Sequence, residues 1–446
     1  MRDLVKHVRW WIGAAIFLLC IFSGVALPAQ TSYAVTLAEL VPIEALVEHN
    51  RLAEAADRLA SVPEDGSDAA VYAAYLRARI AQHSGRLPEA RNRYRAILAA
   101  RPELTRVRLA LAQTLHALED FEGSRHNYEL VLGTIGNDLA DRSAADRIRN
   151  DLTALNNAKR WSAQLIFAVV PTSNLNNGTS SDVVLVGGIP FTPANAAKQK
   201  SGVAWLYGGE FAYLHPVAED IGMLASLSTT HFDASGITYD SRSVLGSLGP
   251  QVRIGTGTVT LEGVASRMWY GGAGYNTAYG GRVSGRFLLS NEWRMTGVAT
   301  WTAQDYDTAT YLNGKKVTAS VSFDRFTLPG QFARIGVAFD QEKTATDFWT
   351  YSEYAALVGY YAELPYGVTV YPEVSYAARD YSGIFPFMTG PRQDRRWSAS
   401  LSLTKRDLLI FGFAPRLIYT YTANYSNVGL YAYDKHSVIS LLTRAF

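Results

Sequence analysis

The chain has 446 residues, with 42 Lys and Arg against 40 Asp and Glu and a single cysteine, Cys20. So balanced a charge gives no support for bulk nucleic-acid binding. A mean hydropathy of −0.03 excludes a bundle of apolar transmembrane helices.

The one apolar run that resembles a span is Trp10 to Ala26. Arg2, Lys6 and Arg9 precede it, and Ser23-Gly24-Val25-Ala26 follow. A basic start, an apolar middle and small residues at the end predict a secretory signal peptide over 1–26, cleaved after Ala26 or Ala29. The competing reading is an uncleaved anchor. Leu19 before Cys20 breaks the small-residue pattern of a lipidation site. Without residues 1–26 the chain keeps 39 of its 42 basic and 39 of its 40 acidic residues, and no thiol for disulfides, metal sites or catalysis.

Residues 38–155 are rich in Ala, Leu, Arg and Glu at helical spacing. They also repeat: Asn50-Arg51-Leu52-Ala53-Glu54-Ala55 is echoed by Gly85-Arg86-Leu87-Pro88-Glu89-Ala90 and more weakly by Asp120-Phe121-Glu122-Gly123-Ser124. Leu87 to Phe121 and Tyr94 to Tyr128 are each about 34 residues, the period of the tetratricopeptide repeat, which the segment resembles. Ala78, Ala90, Ala112 and Ser124 fit the small-residue positions of that pattern, Tyr94 and Tyr128 its large aromatic position, and Pro102 its helix-ending proline. The early Trp is missing, and Gly136 stands where a second proline would fall. The expectation is one degenerate repeat, two good ones and a capping helix near Ala144–Leu155. Stacked helix pairs create a concave face. Tyr72, Tyr75, Arg79, Gln82, Arg106, Gln113 and His116 are the candidate groove for a peptide or unfolded client.

From about residue 160 the period changes from helical to two, and most of the 26 tyrosines and 36 glycines lie beyond it. Trp397, Ala399, Leu401 and Leu403 alternate with Ser398, Ser400, Ser402 and Thr404; Ala333, Ile335, Val337 and Phe339 alternate with Arg334, Gly336, Ala338 and Asp340. Fourteen strands are expected, starting near 161, 202, 220, 241, 257, 277, 292, 314, 330, 351, 366, 394, 409 and 434. Connections alternate between short, as at His215–Asp220 and Leu364–Gly367, and long, as at Pro171–Lys200 and Tyr381–Asp394. Alternating faces, a loop-length dyad and an even strand number predict an outer-membrane antiparallel β-barrel over 160–446, with short turns in the periplasm and long loops outside. The soluble alternative is a β-sandwich or a periplasmic lectin-like domain. An Arg at the lipid midplane costs about 2–4 kcal/mol, so Arg334 and Arg379 are expected to face the lumen or lie near an interface. Glu210, Arg334, Glu373, Ser398, Ser400 and Ser402 are the candidate lumen residues.

No G-x-S-x-G, H-E-x-x-H, P-loop or EF-hand pattern occurs, so no enzyme activity, cofactor or metal is expected. His231 and His436 read as ordinary lumen or rim residues, and Arg392, Arg395 and Arg396 as a solvated outer rim.

A signal segment, periplasmic repeats and a fourteen-stranded barrel together resemble the surface lipoprotein assembly modifier family. Pro171-Thr172-Ser173-Asn174-Leu175-Asn176-Asn177 resembles the family's P-x-S-N-x-N stretch at the end of the first strand, and the terminal Phe446 resembles the signal read by barrel-assembly machinery. The resemblance implies an outer-membrane translocator whose client is a surface lipoprotein or a secreted haem-binding protein. Outer-membrane lipid surrounds such a barrel, and the assembly machinery inserts it. The alternatives are an exopolysaccharide exporter, or a porin with a periplasmic scaffold.

Overall fold

The computed structural model describes residues 36–135, 139–158, 160–234, 236–411 and 413–443. The expected signal segment 1–26 and Phe446 lie outside the described residues.

Among the described residues, seven helices come first: α1 (Leu37–Glu48), α2 (Leu52–Leu59), α3 (Asp68–His83), α4 (Leu87–Ala100), α5 (Thr105–Ala117), α6 (Phe121–Leu132) and α7 (Leu139–Ala158). The first six form three antiparallel pairs, and the turn inside each pair is built alike. Asn50, Gly85 and Glu119 all have left-handed φ, at 58°, 75° and 59°. The next amide closes back over each turn, Arg51 to the Leu46 carbonyl, Arg86 to Ala81 and Asp120 to Leu115, at 2.8–2.9 Å. This is the six-to-one closure of a helix C-terminus. The degenerate first repeat therefore keeps the same backbone turn as the other two. Ala78 and Ala90 have no exposed surface, nor does Tyr94, so small residues let the helices approach and the ring fills what is left.

The barrel closes in chain order. Its strands are β1 (Trp161–Thr172), β4 (Gly202–Ala218), β5 (Ile221–Ala234), β6 (Ser241–Ile254), β7 (Gly257–Tyr270), β8 (Ala273–Leu288), β9 (Trp293–Tyr306), β10 (Gly314–Leu328), β11 (Gln331–Thr344), β12 (Tyr351–Leu364), β13 (Val368–Ile384), β14 (Pro391–Lys405), β15 (Ala414–Ser426) and β16 (Tyr433–Thr443). Each pairs antiparallel with its neighbours, and β1 meets β16. A small hairpin, β2 (Val184–Val186) with β3 (Ile189–Phe191), sits in the first long loop; the sequence pattern did not suggest it. Alternation gives the faces. Trp205, Phe211, Ile335, Val337, Trp397 and Leu401 point outward and exposed, while Ala204, Ala212, Asp324 and Ser402 turn in. The outer face matches lipid, and the inner face can be polar because it does not meet lipid.

Candidate functional site

The helical domain is seated on the short-turn mouth of the barrel. At one anchor, Glu363 near the end of β12 accepts from Arg108 of α5 at 2.9 Å and from Arg406 at 2.7 Å. The Glu363 and Arg108 side chains are each 2% exposed. His126 of α6 lies 3.2 Å from the Tyr361 hydroxyl, which donates to Glu363. At a second anchor, Glu129 of α6 takes both Arg286, at 2.6 Å, and Arg294. Arg294 also reaches Asp324, and Asp324 holds Arg334 at 2.6 Å.

Between these anchors lies an apolar plug. Leu130 packs with Phe326 and Phe332, and Phe332 stacks on Tyr361 with ring centres 4.7 Å apart. Gly133 comes so close that a Cβ there would lie 2.2 Å from the Phe326 Cβ. The Gly367 amide, in the turn after β12, donates to the Ala99 carbonyl at 2.9 Å. Buried ion pairs add little net stability because desolvation offsets attraction, yet an unmatched partner is expensive. Their effect here is to set one orientation of helices on barrel.

The seven candidate groove residues divide into two groups. Tyr72, Tyr75, Arg79 and Arg106 come together around two carboxylates from α1. Tyr72 and Arg106 both bond to Glu44, and Arg79 bonds to Glu48 at 2.8 Å. Burial and the Glu44 carboxylate push the Tyr72 hydroxyl up to about 12. Arg106 lies over the Tyr75 ring at 5.3 Å, and Tyr75 is only 3% exposed, so its ring is part of the floor. Gln82 accepts from the Tyr94 hydroxyl at 2.8 Å. Gln113 and His116 lie on α5; Gln113 is exposed and His116 packs edge-on against Phe121.

The candidate lumen residues all stand on inward positions. Arg334 is bound to Asp324, and Glu373 accepts from the Tyr371 hydroxyl at 2.7 Å. Ser398 pairs with Thr422, and Ser402 accepts from Arg416. Ser400 is half-buried opposite Glu373 and Thr420, and Glu210 opens onto free space. His231 stacks on Tyr207 and His436 lies 2.8 Å from the Tyr419 hydroxyl, both toward the outer face. They are not lumen residues. The basic cluster also differs from the expected solvated rim. Arg392 is buried on Asp394 and sits 3.3 Å from the centre of the Tyr431 ring, and Arg396 turns inward to Glu353. Arg395 alone stays outward, on Asp380. Strand alternation decides this: even-numbered positions of β14 face in. Among the described residues, no group of three or more His, Cys, Asp or Glu could hold a metal ion.

Three features escaped the sequence. The anchors at Glu129 and Glu363 are the first. The polar network Ser226–Ser247–Glu262–Arg282 across β5 to β8 is the second, with Ser247 donating to Glu262 at 2.6 Å. The third is the role of 171–177. Asn174, fully buried, bonds the Gly178 amide and carbonyl and reaches the Asp434 carbonyl; Ser173 accepts from the His436 amide at 2.9 Å. The motif clasps the first long loop onto β16 across the seam that closes the barrel.

The chain is similar to several known proteins. Residues 161–446 match the family model described as surface lipoprotein assembly modifier. Surface lipoprotein assembly modifier 1 of Haemophilus influenzae is 23% identical over 79% of this chain and 73% of its own length. Surface lipoprotein assembly modifier 2 of the same strain is 24% identical over 82% and 76%. Among solved structures, OmpTdeltaL8, an outer membrane protein of Vibrio cholerae, covers 64% of this chain and 99% of its own, with 6% identity and a TM-score of 0.32.

Proposed function

Because the chain belongs to the surface lipoprotein assembly modifier family, we propose that it delivers a particular client from the periplasm to the cell surface. The chain lies in the outer membrane, with its helical domain on the periplasmic side. The client is a lipoprotein or a soluble haem-binding protein. The helical face around Tyr72, Tyr75, Arg79 and Arg106 holds it, and the barrel lumen forms the route.

One observation carries this reading. A polar and aromatic helical face is fixed to the short-turn mouth by the buried anchors at Glu363 and Glu129, not hung on a loose tether. A binding surface held beside a pore raises the local concentration of bound client there. Delivery by this route needs no catalytic group. The driving force would come from client folding outside, or from other machinery.

The test is protease shaving of intact cells with and without this gene, probing an epitope-tagged lipoprotein encoded next to it. Surface exposure lost on deletion and restored by the intact gene supports the reading. Exposure unchanged by deletion rejects it for that client.

A further inference from the structure

The helical domain covers the barrel mouth off-centre. Among the described residues its anchoring contacts fall from β8 to the end of β14, at Arg286, Arg294, Phe326, Phe332, Glu363 and Arg406. Away from β10 to β14, where β1 and β4 to β9 line the wall, space is left open. A cavity of about 290 Å³ lies between α6 and that wall, with Glu122 and Arg125 on the helix side and Arg160, Ser162 and Thr256 facing them. Thr256 is in the short turn between β6 and β7, so this space begins at the periplasmic rim. A second cavity, of about 410 Å³, continues inward to Ser226, Glu262 and Arg282. The two share Glu210, Ala212, Leu224, Gln251, Thr258 and Arg286 in their linings, and so adjoin as one passage from rim to lumen.

Resting on the delivery reading above, we infer that this passage is the entrance through which the client threads, as one extended polypeptide segment. Size is the first reason. Cavities of a few hundred Å³ hold drug-sized groups, not folded domains. Chemistry is the second. The inner wall is rigid where Glu262 is fixed by Arg282 and Ser247, at 2.8 and 2.6 Å. Beside it, the Glu210 carboxylate has no hydrogen-bond or ion-pair partner among the described residues, and Gln251 and Thr258 supply neutral donors and acceptors. Such a lining can satisfy backbone amides and side chains of either sign without selecting a sequence. A glycan would call for aromatic platforms, and Trp161 is the one ring in either lining.

The experiment places a photo-crosslinking amino acid at Gln251, at Thr258 or, on the covered side of the mouth, at Thr404, in the full-length protein in cells. The probe is the same tagged lipoprotein. Adducts to it at 251 and 258 but not at 404 are expected. Ala212→Trp, which fills the shared space, is expected to abolish surface exposure while the barrel still shows heat-modifiable gel mobility. Gene-dependent delivery with adducts at 404 alone, or at none of the three positions, overturns the entrance and leaves the delivery reading standing. Adducts at all three positions overturn the claim of an off-centre route. Delivery that does not depend on the gene removes both.

Discussion

Arg108 and Glu363, 255 positions apart in sequence, form an ion pair at 2.9 Å. The pair joins α5 to the periplasmic end of β12, and Arg406 completes it from the far end of β14. Removing the shared carboxylate strands two buried guanidinium groups, which costs about 3–5 kcal/mol. Glu363→Ala is therefore expected to release the helical domain from the barrel. Limited proteolysis of the protein in vesicles should cut near 156–160 faster than in the wild type, while the barrel keeps its heat-modifiable mobility. An unchanged cleavage rate would show that this anchor is dispensable.

Docking is also expected to depend on pH through Glu129. Burial alone would raise its carboxyl, but Arg286, Arg294 and Arg125 outweigh burial and hold it below the ordinary 4.5. A carboxylate depressed in this way contributes fully above its unpaired value, and the contribution fades as pH falls through the depressed one. Cleavage near 156–160 should stay constant from about pH 8 to about pH 5 and rise only in more acid solution. Glu129→Gln should flatten that acid limb and weaken docking at neutral pH.

Gly133 gives a steric version of the same test. Any side chain there collides with Phe326. Gly133→Val is expected to lift α6 off the barrel without removing a charge; overpacking of this kind typically costs about 1–3 kcal/mol. If Gly133→Val and Glu363→Ala give the same proteolytic pattern, the cause is undocking rather than local charge.

The clasp at 171–177 concerns the other end of the barrel. Asn174→Ala strands the Gly178 amide and carbonyl and weakens the link to Asp434. Unsatisfied buried polar groups cost about 1–3 kcal/mol. The variant should lower the temperature at which the barrel loses heat-modifiable mobility, and should expose 178–200 to protease added outside intact cells. Equal melting would assign the motif no part in closure.

Charge reversal on the helical face separates holding from docking. Arg79→Glu with Arg106→Glu sets like charges against Glu48 and Glu44. Surface exposure of the client is expected to fall, with docking unchanged by proteolysis. Full exposure in this double variant would move client binding elsewhere.

Much of this architecture was legible in the sequence because its rules are local. Period-two alternation set strand identity and facing, and strands starting at Gly202, Ser241, Gly257, Gly314 and Tyr351 begin where alternation places them. The greatest discrepancies, at Ala273, Pro391 and Ala414, come where strands run into Gly- or Pro-containing loops that blur the pattern. What escaped was non-local. Arg108 stands between Val107 and Leu109 on the face that carries Leu104, Leu111 and Ala112. A charge on an apolar stripe was the available signal, but nothing near it in sequence names Glu363. The clasp was visible as a motif, yet its meaning depended on β16 returning beside β1. The Arg392 and Arg396 pairings likewise needed Asp394 and Glu353 to be seen on the same wall.

The anchors also impose an order on biogenesis. Among the described residues, the anchoring partners of the helical domain lie far downstream: Arg286 and Arg294 follow Glu129 by more than 150 residues, and Glu363 follows Arg108 by 255. Contacts so distant in sequence form late, after the intervening chain is in place. The seat of the helical domain exists only when β8 to β14 stand side by side. Seating therefore marks completion, a state that only a finished barrel can reach. Until then the α6 surface bearing Glu129 and Leu130 has no barrel wall to cover it.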